Sequence, residues 1–418
     1  MVRASRPAHG ARMAKSSKGG QMTSILPALN LQLRQRARAT GTAAFDVITP
    51  GAFDAAVAEI TQWEGYAPTP LVSLPDLASR AGLGAIHYKH EGPRFGLGSF
   101  KALGGAYAAL CLLQRKIAEA TGTVPSLQSI RDGEHADLCA GITLVSATDG
   151  NHGRSLAWGA ARFGAPCRIY IHAEVSEGRA HAMQELGATV IRIDGDYDAS
   201  VVLAQQEADA NGWFVVSDTS WPGYTQPPLD VMSGYGVMVD EICAEMDTPP
   251  THVFLQGGVG GLAAGVAARL RQKWGARSPR VVVVEPDRAA CLFESARAGA
   301  ATNVQIETET IMAGLSCGEP SPLAWDILRE EAGDFLTIPD GLVGPSVRLL
   351  ATPPGADGAI EAGESAVAGL AAALAAMQDK GMAAQLGLDG AARVLLIGSE
   401  GVTDPAIFAL IMEGQDAL

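Results

Sequence analysis

Short apolar runs alternate with helical segments over much of this chain, and this alternation constrains the fold more than any other feature. From residue 142 the runs ITLVSA, CRIYIH, TVIRID and WFVVSD are separated by segments with helical periodicity. The runs at 252–256, 281–287 and 392–401 continue the pattern. Buried strands that are connected through helices form parallel sheets with helices on both faces. The sequence therefore predicts an α/β protein with two lobes, each containing a largely parallel sheet flanked by helices, and a cleft between them.

Charge and hydropathy exclude several classes of protein. The 418 residues include 31 Lys and Arg against 45 Asp and Glu, a formal net charge of −14. Eight basic residues and no acidic ones lie in residues 1–40, so the rest of the chain carries 23 basic against 45 acidic residues. A body this acidic repels a phosphate backbone, and we expect no nucleic-acid partner. No apolar run reaches the roughly 18 residues of a membrane span, so we expect no membrane partner.

Residues 1–40 are expected to be a basic, disordered N-terminal extension. Residues 1–24 lack the apolar core of a secretory signal, although an organellar transit peptide or an anionic-surface anchor stays open. The six cysteines are too sparse for a disulfide scaffold, and no CxxC pair suggests zinc. We therefore expect a cytoplasmic protein without a metal site. The alanine-rich segment 361–378 predicts a buried core helix.

The first of three loops that could carry chemistry is GPRFGLGSFKALGGAYA at 92–108. Lys101 is one of only seven lysines, and it is flanked by Phe100 and by Ala-Leu-Gly-Gly. Apolar surroundings favour the neutral amine of a lysine, which is the nucleophile that forms a Schiff base. The alternative is a lysine that extends from the start of a helix into solvent.

The second loop is SATDGNHGRSLAW at 146–158, where a strand ends and a helix begins. The free N–H groups of a helix N-terminus suit an anionic ligand. Asn151 could donate to a phenolate-type oxygen, and Asp149 could act as an acid, a base or an orienting group. An ordinary capped turn uses the same residue types, so this loop alone decides nothing.

The third loop is LQGGVGGLAAG at 255–265, between a strand and a helix. The backbone N–H groups of five consecutive residues could surround a phosphate: Gly258, Val259, Gly260, Gly261 and Leu262. The loop also fits a relaxed dinucleotide-binding pattern, with Glu285 at the end of the next strand. A nicotinamide-dependent dehydrogenase therefore stays open.

One cofactor would use all three loops. Pyridoxal phosphate needs a lysine for its aldehyde, donors for its phosphate, and partners for its ring oxygen and pyridine nitrogen. Ser399, in the last glycine turn, could be the nitrogen's partner. A hydroxyl does not favour a protonated pyridine as a carboxylate would, which suits β-elimination better than transamination.

From Pro68 to its end, the chain resembles the fold-type II pyridoxal-phosphate enzymes, the superfamily of tryptophan synthase β and threonine dehydratase. The segments that carry the resemblance are RFGLGSFKALGG (94–105), ATDGNHGR (147–154), DTSWPGYT (218–225), ETIMAGLSCGEPSPLAWDIL (309–328), GES (363–365) and GSEGVTD (398–404). Within that superfamily the block IMAGLSCGEPSPLAW is most similar to the diaminopropionate ammonia-lyases. The sequence departs from the family pattern at Gly98-Ser99, where Asn-Ala is expected, and at Val402, where Asp is expected.

The resemblance implies roles for particular residues. Lys101 corresponds to the Schiff-base lysine, Asn151 to the partner of the ring oxygen and Ser399 to the partner of the pyridine nitrogen. Phe100 and the loop Gly258–Leu262 complete the cofactor-binding set, with the loop as the phosphate cup. Asp149 and Asp218 correspond to acid/base residues beside the substrate. Cys291 and Cys317 match a cysteine pair of the family, although free thiols are expected in the cytoplasm.

The resemblance also implies an activity and an organisation. The activity is α,β-elimination of 2,3-diaminopropionate to pyruvate and two ammonia, and a serine/threonine-type dehydratase or another lyase acting on β-substituted amino acids is the alternative. A catalytically silent ligand-binding homologue is a third possibility. The implied organisation is a homodimer in which residues 41–115 and 219–418 form a large cofactor-binding domain and 116–218 a small mobile one.

Overall fold

The computed structural model describes residue 1 and residues 25–36, 41–148 and 150–415. Within these ranges the strands are β1 (Gln32–Gln35), β2 (Leu71–Ser73), β3 (Ala85–His90), β4 (Leu144–Ala147), β5 (Cys167–Ile171), β6 (Thr189–Arg192), β7 (Phe214–Val215), β8 (His252–Gln256), β9 (Arg280–Pro286), β10 (Ala332–Ile338) and β11 (Arg393–Gly398).

The α-helices of the same ranges are α1 (Ala43–Asp46), α2 (Pro50–Ile60), α3 (Pro75–Ala81), α4 (Lys101–Thr121), α5 (Leu127–Arg131), α6 (Ala136–Ala140), α7 (Asn151–Arg162), α8 (Glu177–Glu185), α9 (Tyr197–Asn211), α10 (Gln226–Gly234), α11 (Gly236–Glu245), α12 (Gly261–Trp274), α13 (Cys291–Ala298), α14 (Pro322–Glu331), α15 (Val343–Ala351), α16 (Ala368–Gln378), α17 (Lys380–Leu386) and α18 (Pro405–Met412). Short 3-10 turns occur at Arg94–Gly96, Gly275–Arg277, Ala313–Leu315, Asp340–Leu342 and Ser365–Val367.

The strands form two sheets. The larger sheet has the order β1-β10-β9-β8-β11-β3-β2, in which the inner pairs are parallel and the two edge strands are antiparallel to their neighbours. The smaller sheet has the order β6-β5-β4-β7 and is parallel throughout. The predicted α/β fold with two largely parallel sheets is confirmed. The strands of the smaller sheet lie between residues 144 and 215, whereas the domain boundaries and the mobility of the smaller domain stay predictions.

Successive residues of the inner strands point into different cores. Val253 and Leu255 of β8 are buried in one cluster with residues of α4 and α12, and Phe254 is buried in another with residues of α16. A parallel sheet with helices on both faces buries both sets of side chains, and its strands are therefore continuously apolar in sequence. This is the reason that the apolar runs located these strands correctly.

The alanine-rich segment forms the predicted buried helix, with every residue of α16 except Gln378 and Met377 fully inside the core. A Cβ atom at Gly369 would lie only 3.1 Å from the backbone oxygen of Phe254. Small residues therefore allow this helix to lie directly against β8.

The expectation of disorder throughout residues 1–40 is wrong for Gln32–Gln35. These residues form β1, which pairs with Asp334–Thr337 of β10 in the antiparallel direction. Leu31 and Leu33 pack against the core while the residues between and after them are polar, so the segment has the period of a half-buried edge strand. The alternation covers only a few residues of a segment that is basic throughout, so the composition of residues 1–40 does not indicate a strand.

Within the described residues, no helix combines the length and the hydropathy needed to cross a membrane.

Candidate active site

Two of the three predicted loops line one cleft between the sheets. Lys101 lies there with Asn151, and Ser365 and Glu400 belong to the same walls. Lys101 begins α4 beside the larger sheet, whereas Asn151 begins α7 directly after β4 of the smaller sheet. The cleft therefore collects residues that follow strands of both sheets, which is where ligands bind in open α/β folds.

The segment before Lys101 is fixed by backbone pairing with the last glycine turn. The Phe100 N–H donates to the Ser399 oxygen at 3.0 Å, and the Gly401 N–H donates to the Gly98 oxygen at 2.9 Å. Gly98 has a φ of +80°, a left-handed conformation that glycine and asparagine both tolerate. Glycine in place of the family's expected asparagine therefore preserves the turn that positions Lys101.

Lys101 is paired with a carboxylate. Its Nζ donates to Oδ2 of Asp218 at 2.8 Å, and the two side chains are 22% and 21% exposed. Burial alone would lower the pKa of Lys101, but the charge of Asp218 outweighs burial and holds this pKa above its usual value. The expectation of a neutral amine in apolar surroundings is therefore wrong for the structure, because the carboxylate comes from a distant segment of the chain.

Asp218 also faces a buried histidine. The Nδ1 of His152 lies 3.9 Å from Oδ2 of Asp218, and its Nε2 lies 2.9 Å from the Val216 oxygen. Burial tends to raise the pKa of Asp218, but Lys101 and His152 outweigh burial and hold the pKa well below its usual range. Asp218 is therefore an ionised carboxylate that holds the amine of Lys101 in place.

The third loop contacts the backbone of Asp218. A Cβ atom at Gly261 would lie 3.6 Å from the backbone oxygen of Asp218. Gly258 and Gly260 have φ values of +64° and +99°, in the left-handed region that favours glycine, and they turn the chain from β8 into α12. The loop therefore lies next to the backbone of Asp218, at the N-terminus of a helix.

Four backbone N–H groups of this loop are available to a ligand. Among the described residues, none accepts a hydrogen bond from the N–H groups of Gly258, Val259, Gly261 or Leu262. All except Val259 are buried, and buried N–H groups without an acceptor are costly. The Gly260 N–H, by contrast, donates to the Gly257 oxygen, so one member of the predicted cup is already bonded.

Asn151 and Ser399 lie next to a carboxylate that sequence reasoning missed. The Nδ2 of Asn151 donates to Oε2 of Glu400 at 2.6 Å, and the Ser365 N–H donates to Oε1 at 3.1 Å. Ser399 is the residue before Glu400 and is buried. The position of Glu400 within the GSEG turn was the available signal, but only the fold shows that it reaches Asn151.

Asp149 lies outside the described residues, so its acid/base role stays a prediction. Cys291 and Cys317 are not joined by a disulfide, and both adjoin the glycine loop. The Cys291 thiol donates to the Gly258 oxygen at 3.5 Å, and a Cβ atom at Gly258 would lie 3.6 Å from the Cys317 sulfur.

The dinucleotide interpretation of the loop fails at Glu285. Its carboxylate accepts from the N–H groups of Leu292 and Phe293 at 2.9 and 2.7 Å, and the residue is almost completely buried. Both carboxylate oxygens of Glu285 are thus bonded to the first turn of α13 within the core, where the ribose of a nicotinamide cofactor cannot reach them. Burial raises the pKa of Glu285 to about 8.

The residues present fit pyridoxal phosphate. The buried N–H groups at the start of α12 would hold its phosphate, and Lys101 would bind its aldehyde. Asn151 lines the cleft together with Lys101, and the buried Ser399 immediately precedes Glu400, which also lines it. Two parallel sheets with such a site between them define a fold-type II pyridoxal-phosphate-dependent enzyme, and a family model described as "Pyridoxal-phosphate dependent enzyme" matches residues 62–399.

Relatives narrow this class. Diaminopropionate ammonia-lyase of Escherichia coli K12 is 41% identical over 364 residues, which cover 85% of this chain and 89% of the relative. The crystal structures of the E. coli enzyme in its holo form and with D-serine are each 36% identical to the chain, with TM-scores of 0.85 and 0.84. Both comparisons cover 94% of this chain and 99% of the other. The chain belongs to the diaminopropionate ammonia-lyase family, so the resemblance inferred from sequence is confirmed.

Proposed function

We propose that the chain catalyses the α,β-elimination of 2,3-diaminopropionate to pyruvate and two molecules of ammonia, with pyridoxal phosphate as its cofactor. The pair formed by Lys101 and Asp218 carries this proposal, because it joins an amine that can move a proton to a carboxylate that orients it. The backbone of Asp218 in turn contacts the glycine loop, whose N–H donors suit a phosphate. When bound, the cofactor withdraws electrons from the Cα of the amino acid.

Lys101 moves the proton at Cα. Lys101 would hold the cofactor by its aldehyde, and its amine, when free, would accept this proton. Asp218 orients Nζ and stabilises the ammonium that results. The β-amino group leaves as neutral ammonia only if it carries a third proton, and the negative charges of Asp218 and, by prediction, Asp149 stabilise that ammonium.

The other proposed residues bind and orient. The N–H groups of the glycine loop would hold the phosphate, Asn151 the ring oxygen and Ser399 the pyridine nitrogen as a neutral partner. The Phe100 ring packs against Tyr235 with a centroid separation of 4.8 Å, which fixes the residue before Lys101. Such contacts would fix the position of the cofactor relative to the amine of Lys101.

A dehydratase acting on serine is the second candidate, because a solved relative was crystallised with D-serine. An amino-acid panel scored for keto acid and ammonia separates the two. Elimination from diaminopropionate with weaker turnover of serine supports the proposal, whereas turnover of serine or threonine alone contradicts it. Enantiomers are tested separately, because Lys101 and Asp149 would serve opposite faces of Cα.

We further propose a homodimer and a cytoplasmic location, both from family resemblance. Light scattering tests the assembly. A mass near twice the 43.2 kDa of the chain supports a dimer, and a mass near that of one chain contradicts it.

A further inference from the structure

Glu364 is a buried carboxyl group that the reaction described above does not use. The residue is 4% exposed and lines the cleft with Lys101 and Asn151. Its own backbone N–H lies near its carboxylate, but no donor from another residue within the described ranges contacts it. A buried carboxylate is costly unless a cation or a donor compensates it. A cation or a hydrogen-bond donor that enters the cleft would therefore be bound favourably by Glu364.

The neighbouring carboxylate does not offer the same opportunity. Both oxygens of Glu400 already accept hydrogen bonds, one from Asn151 and one from the Ser365 N–H. Burial and the charge of Glu400 raise the pKa of Glu364 to about 7, and Arg179 and Asp404 also act on it, in opposite directions. Two close carboxylates, one of them without a partner from another residue, favour a bound cation between the walls of the cleft.

Side chains of both charges line the cleft. Glu400 follows β11 of the larger sheet and Glu364 precedes the turn that leads into α16, whereas Arg154 and Arg179 come from α7 and α8. Arg154 acts on Glu400 and Arg179 on Glu364, and a substrate that has both a carboxylate and an ammonium suits such a lining. Diaminopropionate has such an ammonium at Cβ, and serine has a neutral hydroxyl there.

We propose that Glu364 binds the β-ammonium of diaminopropionate and determines the preference for this substrate over serine. The inference rests on the proposed function. A charge-assisted hydrogen bond within a buried site strengthens binding of the ammonium but contributes little to a hydroxyl. Glu364 thereby adds to the action of Asp218 and Asp149 in keeping the leaving nitrogen protonated while it remains attached to Cβ.

The test compares Glu364→Gln with wild type on diaminopropionate and D-serine. The matched control is Glu361→Gln, since Glu361 is exposed on the same segment. We expect Glu364→Gln to raise KM for diaminopropionate by about tenfold to a hundredfold and to leave KM for D-serine and the visible band of the bound cofactor unchanged. Glu364→Asp, which keeps the charge, should restore most of the affinity.

Equal effects on the two substrates, or no effect on either, would overturn the inference, as would failure of the aspartate to rescue. A second test uses the unmodified enzyme, so that its outcome does not depend on the folding of a variant. Inhibition by 3-aminopropionate should be at least about tenfold tighter than inhibition by 3-hydroxypropionate, and equal inhibition would contradict the proposal. Absence of diaminopropionate turnover in wild type would instead overturn the proposed function, with the inference that rests on it.

Discussion

The Nζ of Lys101 lies 2.8 Å from Oδ2 of Asp218, although the residues are 117 positions apart in the chain. Lys101 begins α4 directly after Phe100, whose N–H donates to the oxygen of Ser399 at the end of β11 in the larger sheet, and Asp218 follows β7 of the smaller sheet. The pair therefore joins the two sheets at the site of the chemistry, and the pKa of each group depends on how closely the sheets approach.

Asp218→Asn should lower kcat by about a hundredfold, because the amine of Lys101 loses its orienting partner. Without this carboxylate burial dominates, so the pKa of Lys101 falls and the acidic limb of the kcat profile moves to lower pH. Asp240→Asn is the control, since Asp240 is 22% exposed and pairs with Lys273 at 2.7 Å away from the site. An unchanged pH profile in Asp218→Asn would contradict the assigned role.

Lys101→Ala should abolish the visible band of the lysine-bound cofactor and the release of pyruvate. The absorption spectrum of purified protein measures this directly, and Lys116→Ala provides a control because Lys116 pairs with Glu119 outside the cleft. A band that survives the loss of Lys101 would show that another amine binds the cofactor.

Gly260→Ala should weaken cofactor binding by about tenfold, because a φ of +99° strains any residue with a Cβ atom. The new methyl group would also lie 3.0 Å from the Cβ of Ala324. Gly178→Ala is the matched control, since no atom lies within 4 Å of a Cβ there and its φ is not positive. Titration of the cofactor-free chain with pyridoxal phosphate gives the dissociation constants, and equal constants for the two variants would contradict the role of the loop.

Glu285 should make the protein less stable as the pH rises. Its folded-state pKa of about 8 lies above the ordinary glutamate value of 4.5, so the folded chain retains a proton that the unfolded chain releases between these values. The free energy of unfolding should therefore fall from about pH 4.5 to pH 8, by at most about 1.4 kcal/mol per pH unit from this group. Glu285→Gln should flatten that slope in denaturant titrations, and an identical slope in the variant would refute the assignment.

The inner strands and the glycine loops could be predicted from sequence because their signals are local. β8 and β11 are continuous apolar runs, and the bends at Gly258 and Gly260 follow from consecutive glycines. The antiparallel edge strand β1 is short and lies in a basic segment, so its alternation of Leu31 and Leu33 with polar residues was not recognised.

The environment of the site could not be predicted in the same way. The apolar sequence neighbours of Lys101 indicate a reactive lysine, yet its charge depends on Asp218, which lies 117 residues away in the chain. Glu364 and Glu400 lie within the segments GES and GSEGVTD that carry the family resemblance. Nothing in the local sequence, however, shows that the carboxylate of Glu400 accepts two hydrogen bonds and that of Glu364 accepts none from another of the described residues. Such differences arise from packing between distant strands and become visible only in the fold.

The ratio of ammonia to pyruvate released from 2,3-diaminopropionate tests the central claim most directly. Purified protein with bound pyridoxal phosphate is given each enantiomer, and both products are measured in one reaction. We predict two molecules of ammonia for each pyruvate, with no product from the Lys101→Ala variant. A ratio of one, or pyruvate from serine or threonine alone, would contradict an ammonia-lyase that acts on diaminopropionate.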